Sequence, residues 1–201
     1  MDLVAGPPGS GKSTFFPVAG REQDSFNIDE RRKELNKGSS QSIPREIRAQ
    51  AITEYNAFID GHIRDGKSFS IEVTLAKDIT FEQSERANQH GFRVHLTYVA
   101  AELEDCIQRV ANRVEMGGHG VSPDVLRETY SASMANLPQA IRGFDVVQIY
   151  DNGVQGQVDE SLHEAKPRLV LEAQRGALDY LAPDPPRWLT AALADTEYGL
   201  E

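Results

Sequence analysis

The sequence is poor in cysteine and in positive charge. Cys106 is the single cysteine in 201 residues, which excludes an internal disulfide and fits a reducing compartment such as the cytoplasm. Lys and Arg number 21 against 31 Asp and Glu, a net charge of −10, so neither a nucleic-acid backbone nor an anionic membrane gains any overall attraction. No apolar run is long enough to span a bilayer, and no charged-then-apolar leader is recognisable, so membrane association is not expected. Internal repeats, low-complexity tracts and Cys/His clusters of the metal-binding type are also missing. What remains is the composition of one α/β domain with a sizeable core.

Against this background one stretch is highly specific. Leu3-Val4-Ala5, a short apolar strand, runs into Gly6-Pro7-Pro8-Gly9-Ser10-Gly11-Lys12-Ser13-Thr14, a complete G-x-x-x-x-G-K-[ST] phosphate-binding loop. Successive backbone N–H groups of such a loop form a concave anion nest, and the helix that follows adds the positive end of its dipole. Gly6, Gly9 and Gly11 allow the backbone to approach the phosphates, with Ser10 and Thr14 completing the nest. Lys12 reaches the outer phosphates, and the Ser13 hydroxyl is the candidate ligand of a magnesium ion.

Beyond the loop, strands and helices alternate. A brief helix is expected from Lys12 to about Phe16, cut short by Pro17 and Gly20. Ser25–Asp29 reads as a strand ending in an acidic residue, and Arg45–Asp65 as a long helix stopped by Gly66. Ser68–Val73 is a third strand with Glu72 and Thr74 at its carboxyl end, Ile79–His90 a helix, and Arg93–Val99 a fourth strand. In the next helix Leu103, Ile107, Val110 and Val114 make one buried stripe and leave Arg109 and Arg113 on other faces, one turn apart. After Gly117-Gly118-His119-Gly120, Pro123 opens a helix to about Asn136, and Val146–Tyr150 is the fifth strand. Right-handed crossovers then predict a three-layer α/β fold: five mostly parallel strands with helices on both faces. Ligands in such sheets gather at the carboxyl ends of the strands, which brings the loop, Asp29, Glu72 and Thr74 to one crevice. The remaining sequence reads as a hairpin around Arg175-Gly176 and a short helix from Trp188 to Leu193, an appendage to the sheet.

Taken together, Gly6–Thr14, Asn27–Glu30, Phe69–Leu75, Arg113–Val121, Ser133–Leu137 and Tyr150-Asp151-Asn152 resemble the zeta-toxin family of P-loop kinases over about residues 1 to 155. The resemblance implies a kinase domain at 1–155 with a mobile lid around 109–130, and a tail at 156–201 packed on it. It implies ATP and Mg²⁺ as cofactors, a nucleotide sugar such as UDP-N-acetylglucosamine as acceptor, and an antitoxin protein as partner. Carried over by position, Asp29 matches the catalytic base, Glu72 and Thr74 match substrate contacts, and Arg113 matches a lid arginine. Arg109 and Arg113 also look like the paired lid arginines of adenylate-kinase-type enzymes, one on the adenine and one on the transferred phosphate. Relatives carry several arginines after the Gly117-Gly118-His119 segment, whereas this chain keeps Arg127 alone.

Phosphoryl transfer asks the protein mainly to position in-line groups and to offset charge on the γ-phosphoryl oxygens. Lys12, a cation at Ser13, Arg113 and Arg127 suit that task. Asp29 can take the proton of an acceptor hydroxyl, or it can cap the helix that follows. Glu72, a carboxylate in an apolar strand, needs a polar cavity or a structural partner. The arginines can equally serve in surface ion pairs, and Arg31, Arg32 and Lys33 either bind an anionic substrate or form a solvated face. Two other readings remain open: a kinase for a nucleic-acid end, and a nucleotide-binding regulatory module with little transfer activity.

Overall fold

A computed structural model describes residues 1–153 and 166–199. The expected boundary between residues 155 and 156 lies outside the described residues.

The core is built on β1 (Asp2–Ala5), whose Leu3, Val4 and Ala5 are fully buried because neighbouring strands flank it on both sides. On one side lie β3 (Phe69–Val73) and then β2 (Asp24–Asn27); on the other lie β4 (His95–Ala100) and β5 (Val146–Asp151), all parallel. This parallel part follows the expectation. The count does not: the sheet has seven strands, in the order β2-β3-β1-β4-β5-β6-β7, rather than five. Strands β6 (Arg168–Gln174) and β7 (Ala177–Leu181) continue it antiparallel from β5.

The hairpin is therefore part of the sheet and not an appendage. Alternation in Arg168–Ala173 signals a strand but carries no information on which edge it joins. In the fold, Val170, Leu171 and Ala173 are fully buried against the main core. The short helix Arg187–Leu193 is likewise anchored, since the buried Trp188 Nε1 donates to Asp151 Oδ1 at 2.9 Å.

Helices cover both faces. They are α1 (Lys12–Phe15), α2 (Ile28–Leu35), α3 (Arg45–Asp65), α4 (Ile79–Gln89), α5 (Leu103–Glu115), α6 (Pro123–Ala135), α7 (Leu137–Gly143) and α8 (Arg187–Leu193). Helix α3 ends where Gly66 adopts a left-handed φ of 63°, and α6 starts on a Ser122 cap with Pro123 in its first turn. Helix α7 is not expected from the sequence, because it starts directly after α6 and its Pro138 reads as a helix stop, whereas it sits in the first turn, where proline is tolerated. In α5 the stripe is buried at Val110 and partly buried at Leu103 and Ile107, but Val114 is 46% exposed, since the helix runs past the edge of the core there.

Candidate active site

Strand register sets the site. Glu72 on β3 lies opposite Val4 on β1 and Asn27 on β2, so the two residues that follow each strand position emerge at one level. Those followers are Gly6, Thr74 and Asp29, which is how a crevice collects residues nearly seventy positions apart.

Within the loop the three glycines each solve a different steric problem. Gly6, Gly9 and Gly11 have φ of 142°, 82° and 92°, and a Cβ on them would collide with Val99 O, Cys106 O and Asn152 Nδ2 respectively. The loop is thus pressed against β4, α5 and the end of β5, with no room for side chains on its outer side. Gly11, in the left-handed region, hands the chain directly to α1. Ser10 is fully buried, and its hydroxyl finds no partner among the described residues. A buried orphan hydroxyl in a phosphate nest is a group that a bound nucleotide can satisfy.

Lys12 is buried, and its Nζ donates to Pro7 O at 3.2 Å, folding the side chain back over the loop. Burial pushes the ammonium below its ordinary value, while the carboxylates of Glu72 and then Asp29 pull it back up. Arg113 acts on it in the opposite sense to the carboxylates.

Ser13 Oγ lies 3.0 Å from both carboxylate oxygens of Glu72 and donates to that carboxylate. Hard divalent cations take oxygen ligands, and adjacent ligands of an octahedral magnesium at about 2.1 Å from the metal sit about 3 Å apart. The Ser13 hydroxyl with a carboxylate beside it therefore fits such an ion. Glu72 is half-buried and faces polar partners, as its position in an apolar strand demands.

Asp29 differs from its expected placement. The strand stops at Asn27, whose side chain accepts from the amides of Asp29 at 2.9 Å and Glu30 at 3.3 Å. That cap begins α2 two residues earlier than the sequence suggests. Asp29 is consequently in the first turn of α2, exposed, and paired with Arg32 at 2.9 Å. The capping role considered for Asp29 belongs to Asn27.

Other arginines are distributed unevenly. Arg31 bridges Glu34 and Glu54, which ties α2 to α3, and Lys33 is 3.8 Å from Glu30 in a surface pair. Arg109 is half-buried and donates from NH2 to Asn152 O at 2.6 Å. Arg113 is exposed near the end of α5, and its carbonyl accepts from Gly118 N at 2.8 Å. Arg127 stands on the surface of α6, 3.5 Å from Asp124, and makes no contact with the loop.

Just past β3, Ser133 Oγ donates to Thr74 O at 2.6 Å and Asn136 Nδ2 donates to Leu75 O at 2.9 Å. Leu75 is fully buried with a left-handed φ of 59°, a conformation that persists in a non-glycine residue only when its surroundings over-determine it. Helix α6 provides that constraint. His119 Nδ1 donates to Ser40 O at 3.1 Å, tying the α5–α6 loop to the α2–α3 loop. A separate groove of about 510 Å³ between α5, α6 and α8 is lined by Leu103, Tyr130, Met134 and Trp188 and includes none of the residues above. Among the described residues no helix is long and apolar enough to cross a membrane.

Comparison with known proteins adds an independent line. The family model described as Zeta toxin matches residues 1–161. An uncharacterized protein of Haemophilus influenzae is 28% identical over 133 residues, covering 64% of this chain and 90% of its own. The AvrRxo1-ORF1:-ORF2 complex with ATP superposes with a TM-score of 0.62 at 16% identity, over 88% of this chain and 59% of that one. The PezAT chromosomal toxin-antitoxin system of Streptococcus pneumoniae superposes with a TM-score of 0.53 at 17% identity, over 76% of this chain and 68% of that one.

Proposed function

Because this chain belongs to the zeta toxin family, we propose that it is a kinase and that it transfers the γ-phosphoryl group of ATP to a hydroxyl of a nucleotide sugar such as UDP-N-acetylglucosamine. The observation that carries this reading is the convergence of Lys12, Ser13, Glu72 and Asp29 at one crevice mouth, with Lys12 feeling both carboxylates.

The loop residues Gly6, Gly9, Ser10, Gly11, Lys12, Ser13 and Thr14 bind the phosphates, with backbone N–H groups and the Lys12 ammonium offsetting their charge. Ser13 would hold magnesium, which supplies charge neutralisation at the β- and γ-phosphates when bound. Asp29, exposed at the crevice, accepts the proton of the acceptor hydroxyl at the carboxylate oxygen that Arg32 does not hold. Glu72 and Thr74 hold the acceptor, Thr74 from a loop that α6 keeps rigid. Arg109 lies on the base side of the nucleotide. The segment 109–130 acts as a lid that brings Arg113, and with it Arg127, toward the transferred phosphoryl group and excludes water. We place the enzyme in the cytoplasm, where the lone buried Cys106 stays reduced, and infer an antitoxin as protein partner from the superposition on the PezAT system.

The test is incubation with ATP, Mg²⁺ and a panel of UDP-sugars, with products read by mass spectrometry and Lys12→Ala as the blank. A phosphorylated UDP-N-acetylglucosamine is the expected product. Absence of any phosphorylated UDP-sugar, with ATP still bound, would overturn the acceptor assignment.

A further inference from the structure

Asn152, the first residue after β5, touches three parts of the molecule: the Gly6–Thr14 loop, the end of β4 and helix α5. Its Nδ2 donates to Ser10 O at 2.9 Å, its backbone N–H donates to Ala100 O at 2.7 Å, and its carbonyl accepts from Arg109 NH2 at 2.6 Å. The backbone contact extends the β4–β5 ladder by one residue, and the Arg109 contact fixes the other face of the same residue. Asn152 therefore presents its amide from a support anchored at both ends.

That support acts on the loop through elementary peptide geometry. In a trans peptide unit the C=O and the following N–H point in opposite directions. Drawing Ser10 O outward to Asn152 turns the Gly11 N–H of the same unit inward, away from the β5 side and into the nest. The approach is close enough that a Cβ on Gly11 would collide with Asn152 Nδ2, so Gly11 serves this contact as well as its own φ of 92°. A loop carbonyl left free could rotate inward, where a phosphate oxygen would repel it.

We propose that Asn152 is a positioning residue for the nucleotide phosphates, which sets the Ser10–Gly11 peptide with its N–H toward them, and that Arg109 braces it. This rests on the reading that the Gly6–Thr14 loop binds ATP. The role is specific to phosphate: adenosine, which lacks the charge this peptide faces, gains nothing from it.

The experiment is titration of the full chain with a fluorescent ATP analogue in Mg²⁺, with unlabelled ATP and adenosine as competitors. Asn152→Ala removes the donor. Asn152→Asp is its isostere without the donor, which retains packing if the alanine variant folds poorly. Loss of one hydrogen bond to the loop should weaken ATP about tenfold, the aspartate variant more than that through repulsion of the phosphates, while adenosine competes within about twofold of wild type. Equal weakening of ATP and adenosine, or no change in either, overturns the assignment of Asn152. Wild-type protein that binds adenosine but gains nothing from the phosphates of ATP overturns instead the reading of the loop on which the proposal rests.

Discussion

The two halves of the candidate site are built by different means. The phosphate half is made of backbone: three glycines wedged against β4, α5 and Asn152, a buried Lys12 held on Pro7 O, and the fully buried Leu3–Ala5 behind them. The proposed acceptor and lid half draws its charged groups from helix surfaces, beside Glu72 and Thr74 at the end of β3: an exposed Asp29 paired with Arg32, an exposed Arg113 and an Arg127 beside Asp124. Close packing makes the first half fully formed before ligand arrives. Exposed ion pairs of this kind contribute about 0–1 kcal/mol, so the second half can rearrange at little cost when the acceptor enters. A kinase that must hold ATP firmly and admit a second substrate gains from that division.

Five measurements would break or sharpen this contrast. The largest effect is expected for Lys12→Ala, with transfer lowered by about 10³-fold or more as a pre-placed charge is lost from the transferred phosphoryl group. Thermal stability should hardly change, because the native ammonium already bears a desolvation penalty; a collapse of the fold would show the loop to be structural first. Next, Asp29→Asn should lower kcat by about 10²–10⁴-fold while ATP affinity and melting temperature stay put, as expected of an exposed side chain on the adaptable half. If ATP affinity fell with kcat, the two halves would not be separable.

The lid arginines come third. Arg113→Ala should cost about 10²-fold in kcat/KM and Arg127→Ala about tenfold, because Arg113 is carried by α5, the helix packed against Gly9 of the loop, while Arg127 is paired with Asp124 on α6. The reverse order in steady-state kinetics would mean that α6, not α5, leads the closure. The smallest functional effect belongs to the region outside both halves. Trp188→Phe leaves Asp151 without its indole donor and should destabilise the fold by about 1–3 kcal/mol, read by denaturant unfolding, with ATP binding unchanged. Cys106 offers a check on the rigid half: burial pushes its thiol up to about 11, so the native state holds that proton above the thiol's ordinary range. Stability from this group is full at neutral pH and lost as pH rises from about 9 toward 11, and the folded protein should resist thiol reagents at pH 8 that modify the unfolded chain.

How much of this was legible in advance follows the same division. The Gly6–Thr14 loop, the parallel strands and the long α3 were readable because glycine chemistry and hydrophobic period are local properties. The convergence of Asp29, Glu72 and Thr74 was readable at the level of the sheet, since parallel strands put their carboxyl ends together. The placement of Asp29 inside α2 was not, because an Asn at the end of a short strand continues it or caps a helix with equal ease until the chain around it is folded. Asn152 was visible only as the last residue of the Tyr150-Asp151-Asn152 segment of the family resemblance. Its contact with Ser10, 142 positions away, could not be inferred from spacing.

By itself, then, the sequence determined the phosphate loop, its lysine and hydroxyl, the parallel α/β class and the family, because each rests on residue types at short fixed intervals. Only the tertiary structure decided that the hairpin completes a seven-stranded sheet, that Ser13 faces Glu72, that α6 holds the strained turn after Thr74, and that Asn152 braces the loop. Those are contacts between distant segments, and their partners are chosen by the packing of the whole chain.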